Sequence, residues 1–294
     1  MLVNIIKAVI LGIVEGITEF LPISSTGHLI LTERFIRFEG PLAETFAIFV
    51  QLGAILAVVW LYRQPLVQLV KDLPSQARAQ RLALNLIIAF IPAGAIGALI
   101  HKQIKAYLFN PPVIAGALIL GGLVIWWIER RHVPTARQAH RTGPELDFGE
   151  LSRAVEGSPK SAPPNTHQLQ EISPKQAAAI GVAQIFSLVP GVSRSAATIL
   201  GGMISGLDRR VATEFSFWLA IPTLVLATIF DLATSFDLLQ SGDLLILLVG
   251  AIVSFFVALV VIRALLRYVQ TNTFEPFAYY RIALGLIVLA VAFL

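Results

Sequence analysis

The chain has 294 residues, of which 56% are hydrophobic and only 14% charged, with a formal net charge of +4 and no cysteine. A soluble domain would carry about a quarter charged residues, so this composition argues against a soluble fold, and the lack of cysteine excludes disulfides, thiolate nucleophiles and cysteine-based metal sites. The basic residues sit in loops without interleaved stacking aromatics, which gives no support to a nucleic-acid partner.

The first apolar stretch covers about 5–36. It is not expected to be a cleavable signal peptide, because it already holds Glu15 and Glu19 and runs into Pro22 and a Ser-rich turn. Its middle reads Pro22-Ile23-Ser24-Ser25-Thr26-Gly27-His28. Spans are predicted next at about 43–62, 83–101 and 112–129, each long enough to cross a hydrocarbon core about 30 Å thick. Residues 130–174 are rich in Pro, Ser, Arg and Glu, a composition that cannot build a core, and are expected to be a flexible cytoplasmic loop without chemistry. A second broken apolar stretch covers about 175–206 and holds Pro190-Gly191-Val192-Ser193-Arg194-Ser195. Three more spans are predicted at about 213–233, 243–267 and 276–294. A Pro–Gly–Ser break in lipid leaves backbone groups unpaired unless it lies inside protein or against a water-filled cavity. Both broken stretches are therefore read as re-entrant helix–loop–helix hairpins.

The halves look like a repeat. Gly12-x-x-Glu15 and Pro22 precede Gly181-x-x-Gln184 and Pro190 by about 168 to 169 residues, and Glu44-Thr45-Phe46 precedes Glu214-Phe215-Ser216 by about 170, as in proteins built from repeats. The expectation is an all-α polytopic membrane protein with an inverted-topology repeat: 1–129 as the first copy, 130–174 as the loop and 175–294 as the second copy. Each copy is a hairpin plus about three spans. Three is odd, so the second copy enters the membrane upside down.

Arg63, Lys71, Arg78, Arg81, Arg130, Arg131, Arg209, Arg210, Arg263 and Arg267 fall on one side of this arrangement, and only Lys7, Arg34, Arg37, Lys102 and Lys105 on the other. The positive-inside rule makes the first side cytoplasmic. Both termini then face outward, and the first hairpin enters from that side. Trp60, Tyr62, Trp126, Trp127, Trp218 and Tyr268 fall near cytoplasmic ends, as an aromatic belt would.

Ionisable groups inside membrane segments are costly and usually functional. Glu15 and Glu19 lie four apart and share a helix face. Two carboxylates so close need a cation or a shared proton, and a divalent metal suits carboxylate oxygens while keeping water or phosphate as further ligands. In Ser24-Ser25-Thr26-Gly27-His28, a hydroxyl and an imidazole three residues apart suit a nucleophile and base pair. A Ser/Thr turn capping a helix would look the same. Arg194, at a Pro–Gly break opening a helix, suits phosphate, with Ser193, Ser195 and Thr198 adding hydroxyls. The constellation reads as a phosphatase or transferase acting on a lipid phosphate.

The segment from Gly12 through Glu15, Glu19, Pro22, Ser25 and Gly27 to His28, and the segment from Pro190 to Thr198, resemble the two signature motifs of the undecaprenyl-diphosphatase family, the bacitracin-resistance proteins. The similarity extends to Glu44-Thr45-Phe46 through Gln51-Leu52-Gly53 and to Glu214-Phe215-Ser216-Phe217, and covers nearly the whole chain except 130–174. The resemblance implies release of phosphate from undecaprenyl diphosphate at a site open to the periplasm, with Mg²⁺ or Ca²⁺ held by Glu15 and Glu19. It implies Ser25 as nucleophile, His28 as its acid/base partner, and Arg194 and Glu19 as catalytic groups. Glu15, Ser24, Thr26, Gly27, Gly191, Ser193, Ser195 and Thr198 would line the substrate.

Three other classes compete, of which a structural membrane scaffold would not need Glu15, Glu19, His28 and Arg194 in lipid. An acid-phosphatase-like lipid phosphatase would place a His after the Ser-Arg element, which Ser195-Ala196-Ala197-Thr198 lacks. A polyprenyl-phosphate transporter or flippase would use paired broken hairpins but needs no nucleophile. Two features stay open. The small-residue pattern from Gly116 to Gly121-Gly122 suits internal packing or a homodimer, and Arg281 suits a snorkelling anchor or support for the site.

Overall fold

A computed structural model describes residues 2–38, 40–132, 168–235 and 243–292, and among these residues every element is helical. The order is α1 Leu2–Thr18, α2 Ser25–Ile36, α3 Pro41–Leu61, α4 Arg63–Asp72, α5 Ala77–Leu108, α6 Pro111–His132, α7 Pro174–Ile185, α8 Arg194–Ile204, α9 Arg209–Ser235, α10 Leu244–Thr271 and α11 Glu275–Ala292. Five of these helices, α5, α6, α9, α10 and α11, carry stretches long and apolar enough to cross a membrane. The pair α3 and α4, bent by 69° at their junction, makes a sixth if it is counted as one broken span. The architecture is that of an all-α, multi-pass membrane protein. The expected 130–174 loop falls mainly outside the described residues, but α6 runs on to His132 and Leu169–Glu171 forms a 3₁₀ turn, so its ends are ordered structure.

The span expected at 83–101 differs in length. Helix α5 continues to Leu108 by bending at Ile100 (φ −116°, ψ 20°), so the expected end is a bend. Both broken stretches are interrupted helices: α1 and α2 are separated by residues 19–24, and α7 and α8 by a 3₁₀ turn at Phe186–Leu188 and the Pro190 break. Ser173 starts α7 with a reciprocal capping box to Gln176, satisfying donors that an isolated helix start would leave open.

Helix α1 packs along α10, and α7 packs along α5. The same device permits each approach. A Cβ on Gly12 would lie 2.6 Å from the Gly250 carbonyl oxygen of α10, and one on Gly181 would lie 2.8 Å from the Ala89 carbonyl oxygen of α5. Only a residue without a side chain lets the backbones come this close. Gly121 and Gly122 face α11, where added Cβ atoms would meet Arg281 and the Ala278 carbonyl. These two small residues therefore serve internal packing.

Two members of the expected aromatic belt belong to the interior. Tyr62 and Trp218 are both 4% exposed and meet edge to face at 5.7 Å, because α9 lies against α3 and covers them. Trp60 and Trp127 are half exposed, as belt residues should be. The guanidinium groups of Arg63, Arg130 and Arg131 lie 4.7, 4.2 and 4.0 Å over Trp60, Trp126 and Trp127. At the same helix ends, Arg209 grips the buried Glu129 with two donors, at 3.0 and 2.6 Å, and the Phe274 amide adds a third to the same carboxylate.

Candidate active site

The two breaks open the next helix in the same way. Ser24 caps α2 and its hydroxyl accepts from the Gly27 amide at 3.4 Å; Ser193 caps α8 and accepts from the Ala196 amide at 3.2 Å. Both serines have φ 73°, with ψ 100° and 118°. Such backbone is sparsely populated for a residue with a side chain and costs of order 1–3 kcal/mol at each position. Gly191, at φ 96°, adds a turn that a side chain would obstruct, since a Cβ there would stand 2.7 Å from the Ile114 carbonyl oxygen. Both breaks thus hold a strained turn, and each delivers the following residue, Ser25 or Arg194, to the start of a helix.

Those two residues meet at Glu19. Arg194 Nη2 donates to Glu19 Oε1 at 2.9 Å, and Ser25 Oγ donates to Glu19 Oε2 at 2.6 Å. The ion pair is deeply buried, with 9% of the arginine side chain and 6% of the glutamate exposed. Removing either partner would leave an uncompensated buried charge, which typically costs about 3–5 kcal/mol. Arg194 Nη1 donates to the Ser216 carbonyl at 3.0 Å, and its guanidinium lies 5.7 Å from the Phe20 ring centre. Its Nε is buried with no partner among the described residues and so keeps one donor for a ligand oxygen.

The acid–base pairing inside the first motif differs from the expected one. The hydroxyl of Ser25 is paired with Glu19, whereas both ring nitrogens of His28 point elsewhere. Nδ1 lies 2.7 Å from the Ser24 carbonyl, which only accepts, so this nitrogen carries the hydrogen. Nε2 lies 2.6 Å from Tyr280 Oη, and in the neutral ring it accepts from that hydroxyl. The His28 and Tyr280 rings are stacked 3° from parallel. The physical reason is helical geometry: His28 is on the first turn of α2, and its ring folds back onto the capping residue and against α11.

The remaining hydroxyls tie the breaks together. Ser195 Oγ donates to the Leu21 carbonyl at 2.8 Å, joining the second break to the first, and lies 3.0 Å from Ser193 Oγ. Thr198 Oγ1 donates to the Arg194 carbonyl at 2.9 Å and lies 2.6 Å from Ser216 Oγ. Gly27 packs against Leu118, and a Cβ there would sit 3.3 Å from its methyl group. Thr26 is half-buried at the second position of α2.

Glu15 is fully buried, and among the described residues neither carboxylate oxygen accepts a hydrogen bond. The charges acting on it are those of Glu19, Arg194 and Glu33. A buried carboxylate beside another, with orphaned oxygens, needs a shared proton or a cation. Among the described residues no cluster of three or more His, Asp or Glu side chains gathers. Carboxylates with remaining positions filled by water or phosphate are a donor set that Mg²⁺ accepts; Glu15 offers two oxygens without partners among the described residues, while both Glu19 oxygens are held by Ser25 and Arg194.

Ser216, Tyr280 and Phe20 join the site without having been singled out from sequence. Ser216 lay in a noted motif, but Tyr280 carried no signal: an aromatic near a helix start reads as interfacial.

The fold and the paired acid, hydroxyl and guanidinium define a polytopic membrane protein whose buried site is suited to phosphate. The chain matches the family described as bacitracin resistance protein BacA over residues 8–287. It is 47% identical over 289 residues to undecaprenyl-diphosphatase 1 of Burkholderia cenocepacia, covering 98% of this chain and 96% of that protein. It is also 47% identical over 283 residues to the undecaprenyl-diphosphatase of Laribacter hongkongensis (96% and 93% covered) and 43% identical over 290 to that of Bordetella pertussis (98% and 96% covered). The chain belongs to the BacA family.

Proposed function

We propose that the chain hydrolyses undecaprenyl diphosphate to undecaprenyl phosphate and inorganic phosphate, recycling a lipid carrier of cell-wall synthesis and giving resistance to bacitracin. The observation that carries this reading is the bridging carboxylate of Glu19, which holds a hydroxyl on one oxygen and a guanidinium on the other. Full-length relatives named undecaprenyl-diphosphatase support the substrate.

Ser25 Oγ attacks the terminal phosphorus and its proton passes to Glu19. The bond from that phosphorus to the bridging oxygen breaks, undecaprenyl phosphate leaves, and water then releases phosphate from the serine. Arg194, with its free Nε, neutralises charge on the transferring group, where electrostatic stabilisation does most of the catalytic work. A divalent cation, Mg²⁺ or Ca²⁺, would be held by Glu15 and Glu19 and would supply further neutralisation of the diphosphate. His28, tied to Ser24 and Tyr280, orients the turn that presents Ser25.

The second half is an inverted copy of the first, and the paired packing of α1 on α10 and α7 on α5 supports that reading. Charge asymmetry supports a bacterial inner-membrane location, with the site open to the periplasm and both termini on that side. The test is phosphate release from undecaprenyl diphosphate by purified protein in detergent, where no second compartment exists. Release, with acid-stable label on Ser25 after quenching, is the expected result. No release, with lipid movement between leaflets of a reconstituted vesicle, would establish a transporter instead.

A further inference from the structure

Arg281 lies on α11, outside both motifs, and is 0% exposed. Burial rules out a snorkelling anchor, which keeps its charge in water. All five of its N–H donors are taken, and every acceptor is a backbone carbonyl. Nη1 donates to Val192 at 2.9 Å and Pro22 at 3.2 Å; Nη2 donates to Gly191 at 2.9 Å and Ala117 at 3.1 Å; Nε reaches Leu118 at 3.4 Å.

Three of those carbonyls belong to the two breaks. Pro22 and Gly191 each stand two residues before a strained serine, Ser24 and Ser193, and Val192 stands one before. The other two are on α6, where Gly121 leaves the space that the guanidinium fills. Strained backbone persists only where its surroundings over-determine it. One planar cation holding both turns at the carbonyls just before the strain supplies that constraint. A lysine, with three donors on a single nitrogen, does not span these five acceptors.

We infer that Arg281 is a positioning residue for phosphoryl transfer: it clamps the two breaks to each other and so sets the spacing of Ser25 and Arg194 across Glu19. The inference rests on the phosphatase reading above. It acts through the backbone, so its loss misplaces the catalytic pair without removing a group that touches substrate. Misplacement of this kind costs up to about 100-fold in rate.

The experiment measures kcat and KM for phosphate release from undecaprenyl diphosphate, per monodisperse protein in detergent, for wild type, Arg281→Met, Gly121→Ala, Arg194→Ala and the Arg281→Met/Arg194→Ala double variant. Wild-type release is the control; its absence would sink the phosphatase reading itself. Arg281→Met is expected to lose roughly 30-fold or more in kcat with KM changed less than about threefold. On the Arg194→Ala background the further loss is expected to be under about threefold, since both act on one alignment. Gly121→Ala keeps the charge but displaces the guanidinium, and should show the same kcat-only loss, so the result stands even if Arg281→Met does not fold. Normal kcat in whichever of these variants folds, or losses that multiply in the double variant, would overturn the inference and leave Arg281 a stability residue.

Discussion

The two breaks share a backbone and differ in chemistry. Each turns at a serine with φ 73° that caps the following helix through its hydroxyl. The first position of that helix is Ser25 in one and Arg194 in the other. Upstream, Glu15 in the first corresponds to Gln184 in the second; both are fully buried. Gln184 reaches the Ala89 carbonyl at 3.5 Å, whereas Glu15 faces Glu19. One structural device thus presents a hydroxyl from one half and a guanidinium from the other. The lesson is that the strained turn is the conserved geometry within this molecule, while the residue it presents decides the chemistry.

That division of labour breaks most readily at the residues that differ. Arg194→Ala and Glu19→Ala should each lose at least about 100-fold in phosphate release, the scale of removing one transition-state donor. Near-normal turnover in both would remove the site. Ser25→Ala should fall comparably and lose the acid-stable label, while His28→Ala, whose ring contacts neither Ser25 nor Glu19 by a hydrogen bond, should retain more activity than either. Glu15→Gln, which copies the second half's residue into the first, should weaken the apparent affinity for activating Mg²⁺ by about tenfold or more. A cation titration of phosphate release checks this, and an unchanged curve would place the metal elsewhere. Tyr280→Phe removes one hydrogen bond to His28, worth about 1 kcal/mol, so turnover should drop about fivefold.

The shared feature should give the smallest effect, and on stability. Ser24→Ala and Ser193→Ala each lose a cap worth about 1 kcal/mol. Equal shifts in thermal unfolding in detergent would sharpen the comparison; a shift from one alone would show that the two turns are not equivalent.

Much of this was legible in the chain because membrane segments announce themselves locally. An apolar run of sufficient length and a Pro–Gly–Ser interruption are properties of consecutive residues, and α9, α10 and α11 lie where such runs predict them. The rarity of buried charge likewise singled out Glu15, Glu19 and Arg194 before any geometry. Pairings were less legible. Ser25 and His28 are three residues apart and look like partners, yet the turn of α2 sends the imidazole toward Ser24 and Tyr280. Trp218 and Tyr62 look interfacial, yet packing between α3 and α9 buries them.

Sequence by itself determined the helical membrane class, the places of the two breaks and the stock of ionisable groups, because hydropathy, backbone permissiveness and the cost of burying charge act on neighbouring residues. Tertiary structure alone decided that Glu19 would meet Arg194 across 175 residues of chain, and that Arg281 would gather carbonyls from both breaks and α6. Those contacts depend on how helices distant in sequence pack, and no local pattern encodes the direction in which a side chain will find its partner.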